Sequence, residues 1–223
     1  MASLRQLAQC IRLENPDSFR VVRDFYGYME GAPNQLSLLT QFRRLQGKHV
    51  HINCIRVGSD QFTQADRAEI DSAVDFTRNN YAQVDIGVGR VEHYFITTAD
   101  ANGRENINND GEAEDLTNEW TVPNDAYDIF FVLTYSGSTI GLSRVDGPCD
   151  KDAKGMDGSV VAIEGSVNTS GFVLAHELGH YMGLGHREND NNNLMFTSVP
   201  NGGNLTNGQG DDMRDHCFVK NSC

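Results

Sequence analysis

The strongest constraint on this chain is a run of eleven residues, HELGHYMGLGH, at positions 176–186. On a helix, His176 and His180 are four residues apart and leave the same face, so both imidazoles can bind one metal ion. Glu177 lies beside this pair and can reach a water molecule held by the ion. The run therefore predicts a helix that carries two metal ligands and a general base.

A third histidine follows after a glycine that can turn the chain. Gly183 stands where a positive φ angle is least unfavourable, and such a turn would bring His186 back to the same ion. Three neutral imidazoles with one open coordination position are typical of catalytic zinc, because structural zinc sites usually close the tetrahedron with cysteines. The sequence thus predicts one zinc ion held by His176, His180 and His186.

These residues resemble the motif of the metzincin clan of zinc endopeptidases. The tetrad NLMF at 193–196 is similar to the clan's turn, which places a methionine, here Met195, beneath the metal. The short interval between the motif and Met195 resembles matrixins and adamalysins, and segments 141–149 and 159–161 are similar to an edge strand and cysteine segment of adamalysins. Residue 187 is Arg, where adamalysins carry Asp, matrixins Ser and astacins Glu, so no subfamily is assigned.

The resemblance implies a zincin-type α+β fold. The expected catalytic domain, residues 48–223, has a twisted mixed sheet of about five strands with an antiparallel edge strand, a long backing helix and an active-site helix. Its upper subdomain would span 48–183, and a small lower subdomain at 184–223 would contain the methionine turn. Residues 1–47 precede the first expected strand and have the apolar spacing of a helical extension, which would be either a pro-segment or a pad on the sheet.

The resemblance also implies how a substrate is held. Gly141, Leu142 and Ser143 would belong to the edge strand, which is where metzincins bind an extended peptide. An edge strand presents unpaired N–H and C=O groups, so a peptide can add to it as a further strand.

The five cysteines bear on disulfides and on localisation. Adamalysins join the cysteine that corresponds to Cys149 to one near the C-terminus, so the resemblance pairs Cys149 with Cys217 or Cys223. Cys54, on the inward face of a predicted strand, is expected to be a buried free thiol. Such a disulfide favours a secreted or otherwise extracytoplasmic protein. No signal-like apolar core is visible in residues 1–6.

The charge balance limits the partners. With 18 Lys and Arg against 31 Asp and Glu, the formal net charge is -13, which disfavours nucleic acid and anionic membranes as partners. No apolar run approaches the length of a membrane span. We expect a monomer whose partner is a protein or peptide substrate.

A long acidic and asparagine-rich segment at 100–125 is predicted to be a solvated loop. Its side-chain oxygens also allow a Ca²⁺ site, although their spacing departs from that of an EF-hand. The residues concerned are Asp100, Asn102, Glu105, Asn109, Asp110 and Glu112.

Hydrophobic periodicity predicts the main elements. Alternation at 49–57 predicts a strand that carries His49 and His51 as a surface pair, and an amphipathic pattern predicts a helix at 61–81. Further strands are expected within 84–98 and at 128–133, 140–145 and 158–163, with the zinc helix beginning near Ser170 and a closing helix at 211–218.

Two other functions are compatible with the fold that the resemblance implies. One is a protein-binding module that does not cut, and the other is a latent zymogen held by residues 1–47. Non-cutting relatives usually lack the glutamate or a ligand, and all four residues are present here. The expected activity is therefore hydrolysis of peptide bonds in extended proteins, with Glu177 as general base and acid.

Overall fold

The computed structural model describes residues 47–221, except 152, 154, 164–165, 199 and 201. The predicted N-terminal helices and Cys223 lie outside the described residues. The strands are His49–Val57 (β1), Gly87–Ile96 (β2), Asn106–Ile107 (β3), Tyr127–Val132 (β4), Thr134–Tyr135 (β5), Gly141–Ser143 (β6), Ser159–Ala162 (β7) and Val219–Lys220 (β8). The helices are Gln64–Tyr81 (α1), Thr98–Ala101 (α2), Asp110–Glu119 (α3), Val167–Tyr181 (α4) and Asn207–Arg214 (α5).

The main sheet is mixed. Its strand order is β2-β1-β4-β7-β6, and β8 pairs with the start of β1. Strands β2, β1, β4 and β7 are parallel, whereas β6 is antiparallel to β7 and forms one edge. The predicted α+β fold with an antiparallel edge strand is therefore confirmed, and each predicted strand of this sheet is found within three residues of its expected position.

Helices α1 and α4 pack against one face of this sheet. The alternation of β1 directs Val50, Ile52 and Cys54 to that face, where each is fully buried. The two helices approach closely because Gly171 of α4 lies against Phe76 of α1. A β-carbon at Gly171 would come within 2.7 Å of the Phe76 ring. A larger residue at this point would therefore separate the backing helix from the helix that carries the histidines.

Polar contacts fix α1 and join it to α4. The N-cap Thr63 and Asp66, three residues later, form a capping box at the start of α1. Two further bonds cross between the helices: the Ser170 hydroxyl donates to the buried Glu69 carboxylate, and the Tyr81 hydroxyl donates to the carbonyl of Ala175. These contacts anchor α4 before its last turn. Helix α4 begins at Val167, three residues before the start predicted from the sequence.

The segment between β2 and β4 is not the predicted solvated loop. It contains α2, β3 and α3, and its apolar side chains Ile107, Ala113 and Leu116 are buried against the second face of the sheet. The polar composition reflects helix capping, since Asn109 begins α3 by accepting a hydrogen bond from the N–H of Glu112. Asparagine and acidic residues are favoured at such positions, so composition alone pointed to the wrong structure.

The histidine pair of β1 is buried, whereas the sequence predicted a surface pair. His49 and His51 are 2% and 7% exposed. His51 lies over Gly89 of β2, and its Nδ1 accepts a hydrogen bond from the N–H of Arg90 at 3.0 Å. The prediction was wrong because the groups that cover the pair come from a different strand.

The closing helix begins earlier than predicted. Helix α5 spans Asn207–Arg214 rather than 211–218, because Thr206 and Gln209 form a capping box at its start. The residues that follow α5 turn and end in β8.

Two features bear on the location of the protein. The structure contains the disulfide Cys149–Cys217, one of the two expected pairings, and Cys54 is a buried free cysteine as predicted. Disulfides are typical of oxidising compartments. Among the described helices, none is long and apolar enough to cross a bilayer.

Candidate active site

The first part of the histidine motif forms the end of α4. His176 and His180 leave the same face of the helix, and their ring centroids are 4.5 Å apart. Gly183 follows the helix with a φ of 97°, as the predicted turn requires. The chain then reverses and brings the His186 ring to within 4.6 Å of the His180 ring. The three predicted ligands are thus brought together by one helix end and one turn.

The Nε2 atoms of the three rings converge. His186 Nε2 lies 3.4 Å from His176 Nε2 and 3.1 Å from His180 Nε2. The Nδ1 atoms of His176 and His180 donate to the carbonyls of Leu194 and Leu184 at 2.8 and 2.7 Å, so their lone pairs are on Nε2. Converging lone pairs repel one another unless a cation lies between them. Nitrogen ligands of a tetrahedral zinc ion are about 3.3 Å apart, so the donor set fits zinc.

Burial keeps His176 and His180 in the form that can bind a metal ion. It lowers the pKa of His176, and together with the neighbouring His176 it lowers the pKa of His180 to about 4. A neutral imidazole has the free lone pair that coordination needs. The side chain of His186 is 42% exposed, so the cluster is open to solvent on one side.

Glu177 lies beside the histidines under the edge strand. Its side chain is 7% exposed, and burial raises its pKa to about 8. Gly141 of β6 lies directly against it: a β-carbon there would be 2.8 Å from Glu177 Oε1 and 2.6 Å from Val173 Cγ1. A cation at the histidine cluster would favour the charged carboxylate. The space for this carboxylate therefore depends on glycine at position 141.

We expect Gly141→Ala to lower kcat for peptide cleavage by about 10²-fold, because a displacement of a reacting group by about 1 Å has an effect of this size. The overlapping methyl group should also destabilise the fold by about 1–3 kcal/mol. The matched control is Gly185→Ala, since a β-carbon at Gly185 meets no atom within 4 Å. Peptide kinetics at equal zinc content give the measurement, and equal kcat for both variants would contradict the prediction.

Met195, the methionine of the expected turn, lies against the helix that carries His176 and His180. It is fully buried, and a β-carbon at Gly179 would be 2.8 Å from its Sδ. The Met195 carbonyl accepts a hydrogen bond from the N–H of Arg187, the residue after the third histidine. The thioether thus packs against α4 at Gly179, next to His180, and its support of a bound metal remains a prediction.

A buried amide pair, which the sequence did not reveal, holds this turn. Asn193 and Gln209 exchange two hydrogen bonds of 2.9 and 3.0 Å, and each is at most 2% exposed. The Oδ1 of Asn193 also accepts from the N–H of Met195 at 3.0 Å. Leu194 lies between Asn193 and Met195 in the chain, and its carbonyl accepts the hydrogen bond that orients the His176 ring. Sequence periodicity gives no signal for such a pair, because the partners are 16 residues apart.

We expect Asn193→Ala to weaken zinc binding by about 10–100-fold, the usual effect of losing a group that orients a ligand. It would also leave the Gln209 amide buried without its partner, which destabilises by about 1–3 kcal/mol. Competition with a chelating dye measures the zinc affinity, and Asn108→Ala, at an exposed asparagine, is the control. A lower melting temperature with unchanged zinc affinity would show that the pair serves stability alone.

The segment after β6, residues 146–149, is fastened to the end of α4. The N–H groups of Asp146 and Gly147 donate to the carbonyls of His180 and Tyr181 at 3.0 and 2.8 Å. The Tyr181 hydroxyl donates to the Pro148 carbonyl at 2.9 Å, and its ring occupies the space that a side chain on Gly147 would need. Carbonyls in the last turn of a helix otherwise lack protein partners. This segment therefore fixes the end of α4 that carries His176 and His180 relative to the edge strand.

Two further predicted site residues lie on β6. Leu142 and Ser143 pair with Val160 and Ser159 of β7, so their strand is the last of the sheet. The Ser143 hydroxyl is 2.6 Å from the hydroxyl of Ser159, which donates to it. Their contact with a substrate remains a prediction.

The proposed calcium ligands are divided among different local structures. Asp100 accepts a hydrogen bond from Thr97 at the start of α2, and Glu112 accepts from Asn108 at the start of α3. These carboxylates cap helices, and calcium binding remains a prediction.

Comparison with known proteins agrees with the geometry. The sequence profile of the M12B reprolysin-like metallopeptidases matches residues 67–187, more than half of the chain, including the whole histidine motif. A search of curated protein sequences gives no match.

Two solved structures have a similar fold. Metalloproteinase-II from Bacteroides fragilis has a TM-score of 0.55 and 15% identity over 78% of this chain and 54% of that one. Archaemetzincin from Methanopyrus kandleri has a TM-score of 0.50 and 16% identity over 75% of this chain and 95% of that one. The chain thus spans about half the length of the Bacteroides protein, and at these identities the likeness concerns the fold alone. On the profile match, the chain belongs to the M12B reprolysin-like metallopeptidase family.

Proposed function

We propose that the protein is a zinc-dependent endopeptidase that hydrolyses peptide bonds of extended protein substrates. The observation that carries this proposal is the convergence of three imidazole Nε2 atoms beside the buried carboxyl of Glu177. The geometry fits a tetrahedral ion with one position open to solvent. Membership of a metallopeptidase family supports the same class of reaction.

The residues of the site would have distinct roles. His176, His180 and His186 would hold zinc, which supplies a Lewis acid for the scissile carbonyl and lowers the pKa of water. Glu177 would accept a proton from the attacking water and pass it to the leaving amine. Met195 would pack beneath the ligands and take no part in the chemistry.

Strand β6 would bind the substrate. Gly141, Leu142 and Ser143 form an edge to which an extended peptide can add as a further strand. Because Gly141 lies against Glu177, a peptide on this edge would pass beside the carboxylate.

We further propose that residues 48–183 and 184–223 form the upper and lower subdomains, and that residues 1–47 are an N-terminal extension. The disulfide Cys149–Cys217 supports a secreted or otherwise extracytoplasmic location. We propose a monomer whose partners are protein or peptide substrates.

Cleavage-site profiling on a peptide library, with and without a metal chelator, tests the proposed activity. We expect cleavage that the chelator abolishes and zinc restores. A folded, zinc-loaded protein that cuts no peptide would favour the non-cutting binding module. Cleavage that begins only after removal of residues 1–46 would favour the latent zymogen.

A further inference from the structure

A second cluster of potential metal ligands surrounds the disulfide. The sulfur atoms of Cys149 and Cys217 and a ring nitrogen of His216 all lie within 4.8 Å of one another. Among the described residues, the histidine cluster of the active site is the other group that meets this criterion. Both cysteines are exposed, so a reductant and an ion can reach them, whereas His216 is buried.

The tautomer of His216 suits coordination through Nδ1. Its Nε2 donates a hydrogen bond to the Gly147 carbonyl at 3.1 Å, so the lone pair of the neutral ring is on Nδ1. This Nδ1 is 3.8 Å from the sulfur of Cys217 and accepts the N–H of Phe218 at 3.3 Å. A histidine that binds a metal typically donates its other N–H to a carbonyl in the same way. The Nδ1 lone pair is thus on the side of Cys217, and an ion bound there would replace the hydrogen bond from the N–H of Phe218.

The two chain segments at this cluster are held together by contacts other than the disulfide. Gly147 donates to the Tyr181 carbonyl, and the Tyr181 hydroxyl donates to the Pro148 carbonyl. The C-terminal segment joins them through His216, whose Nε2 donates to the Gly147 carbonyl and whose ring centroid lies 5.5 Å from that of Tyr181. Because these contacts do not involve sulfur, reduction of the disulfide would leave the three side chains close to one another.

We propose that Cys149, Cys217 and His216 form a second zinc site when the disulfide is reduced. A dithiol supplies two electrons and two protons, which convert the S–S bond to two thiols while the dithiol itself becomes a disulfide. Zinc then displaces the two thiol protons and is bound by two thiolates and one imidazole, with solvent in the fourth position. Two sulfurs and one nitrogen are a donor set that zinc accepts, and it differs from that of the active site.

The S–S bond and the zinc ion would thus serve the same purpose in different surroundings. Either one connects residues 146–149, and through them the end of α4, to the C-terminal residues of the chain. The protein would therefore keep this connection in reducing as well as in oxidising conditions.

Cobalt titration of the full chain tests this proposal, since only cobalt bound by thiolates gives an intense near-ultraviolet charge-transfer band. The oxidised protein should bind one equivalent of cobalt, at the histidine cluster, and should not show this band. The protein is then reduced with dithiothreitol, and the dithiothreitol is removed under argon. The reduced protein should bind two equivalents of cobalt, and binding of the second should produce the band. If the reduced protein bound a single equivalent of cobalt and showed no band, the proposal would be overturned. Loss of the native circular dichroism on reduction, without recovery on adding metal, would also overturn it.

Variants assign the second site to its ligands. Cys149→Ser and His216→Ala should weaken binding of the second cobalt ion at least about tenfold, while the equivalent without the charge-transfer band is retained. The matched control is Cys54→Ala, which removes the buried free thiol and should leave the band unchanged. A band that appears in Cys149→Ser with wild-type cobalt affinity, or that disappears in Cys54→Ala, would show that other thiols bind the metal.

Discussion

Replacement of Glu177 by alanine is expected to lower kcat/KM for peptide cleavage by at least about 10²–10⁴-fold, the usual contribution of a positioned general base. The zinc content should stay near that of the wild type, because the three imidazoles converge on one another without the carboxyl. The fold should also tolerate the change. Burial raises the pKa of this carboxyl to about 8, above its value in the unfolded chain. Its burial therefore opposes folding at neutral pH, when the unfolded chain carries it charged.

Glu177→Gln is the matched control, because glutamine fills the same space against Gly141 and Val173 but cannot act as a base. Both variants should lose cleavage alike, whereas a purely steric role would leave the glutamine variant active. Peptide kinetics and zinc analysis of the same preparations give the measurement. Cleavage by both variants within a few-fold of the wild type would place the activity at another site and defeat the proposed mechanism.

Replacement of His180 by alanine is expected to remove zinc and activity together. The ring provides the Nε2 that lies 3.1 Å from that of His186, and its Nδ1 donates to the Leu184 carbonyl in the turn that leads there. Loss of the ring would thus open the coordination sphere and loosen the third ligand. With two imidazoles left, the metal-loaded fraction should fall to the background at micromolar zinc, and cleavage with it.

The control for this experiment is His93→Ala, at a partly exposed histidine of β2 outside the cluster. It should retain both zinc and activity. Dialysis against limiting zinc followed by metal analysis separates the two variants. If His180→Ala retained stoichiometric zinc with the disulfide intact, the ion would be bound outside the histidine cluster, and the proposed metal site would be wrong.

The parts of the site that could be predicted are those fixed by local geometry. Helical spacing places His176 and His180 on one face, and a glycine turn returns His186, so a short stretch of sequence contains the cluster. The strands of the sheet were found because an alternating or fully apolar pattern reports burial directly.

The parts that could not be predicted depend on distant partners. Asn193 and Gln209 pair across 16 residues, and His216 contacts Gly147 across 69. The burial of His51 depends on a glycine of another strand. Helix α3 was missed for a different reason: its first turn is acidic, and only three of its 10 residues, Ala113, Leu116 and Thr117, are buried.

The attachment of residues 146–149 to α4 has a consequence for which bond of a substrate is cut. Between Ser143 at the end of β6 and the backbone bond from Asp146 to His180 lie only two residues. The distance from β6 to the histidines at the end of α4 is therefore determined by main-chain geometry. On the proposed function, side-chain changes on β6 would alter how tightly a peptide is held, but the peptide would stay in the same alignment and the same bond would be hydrolysed.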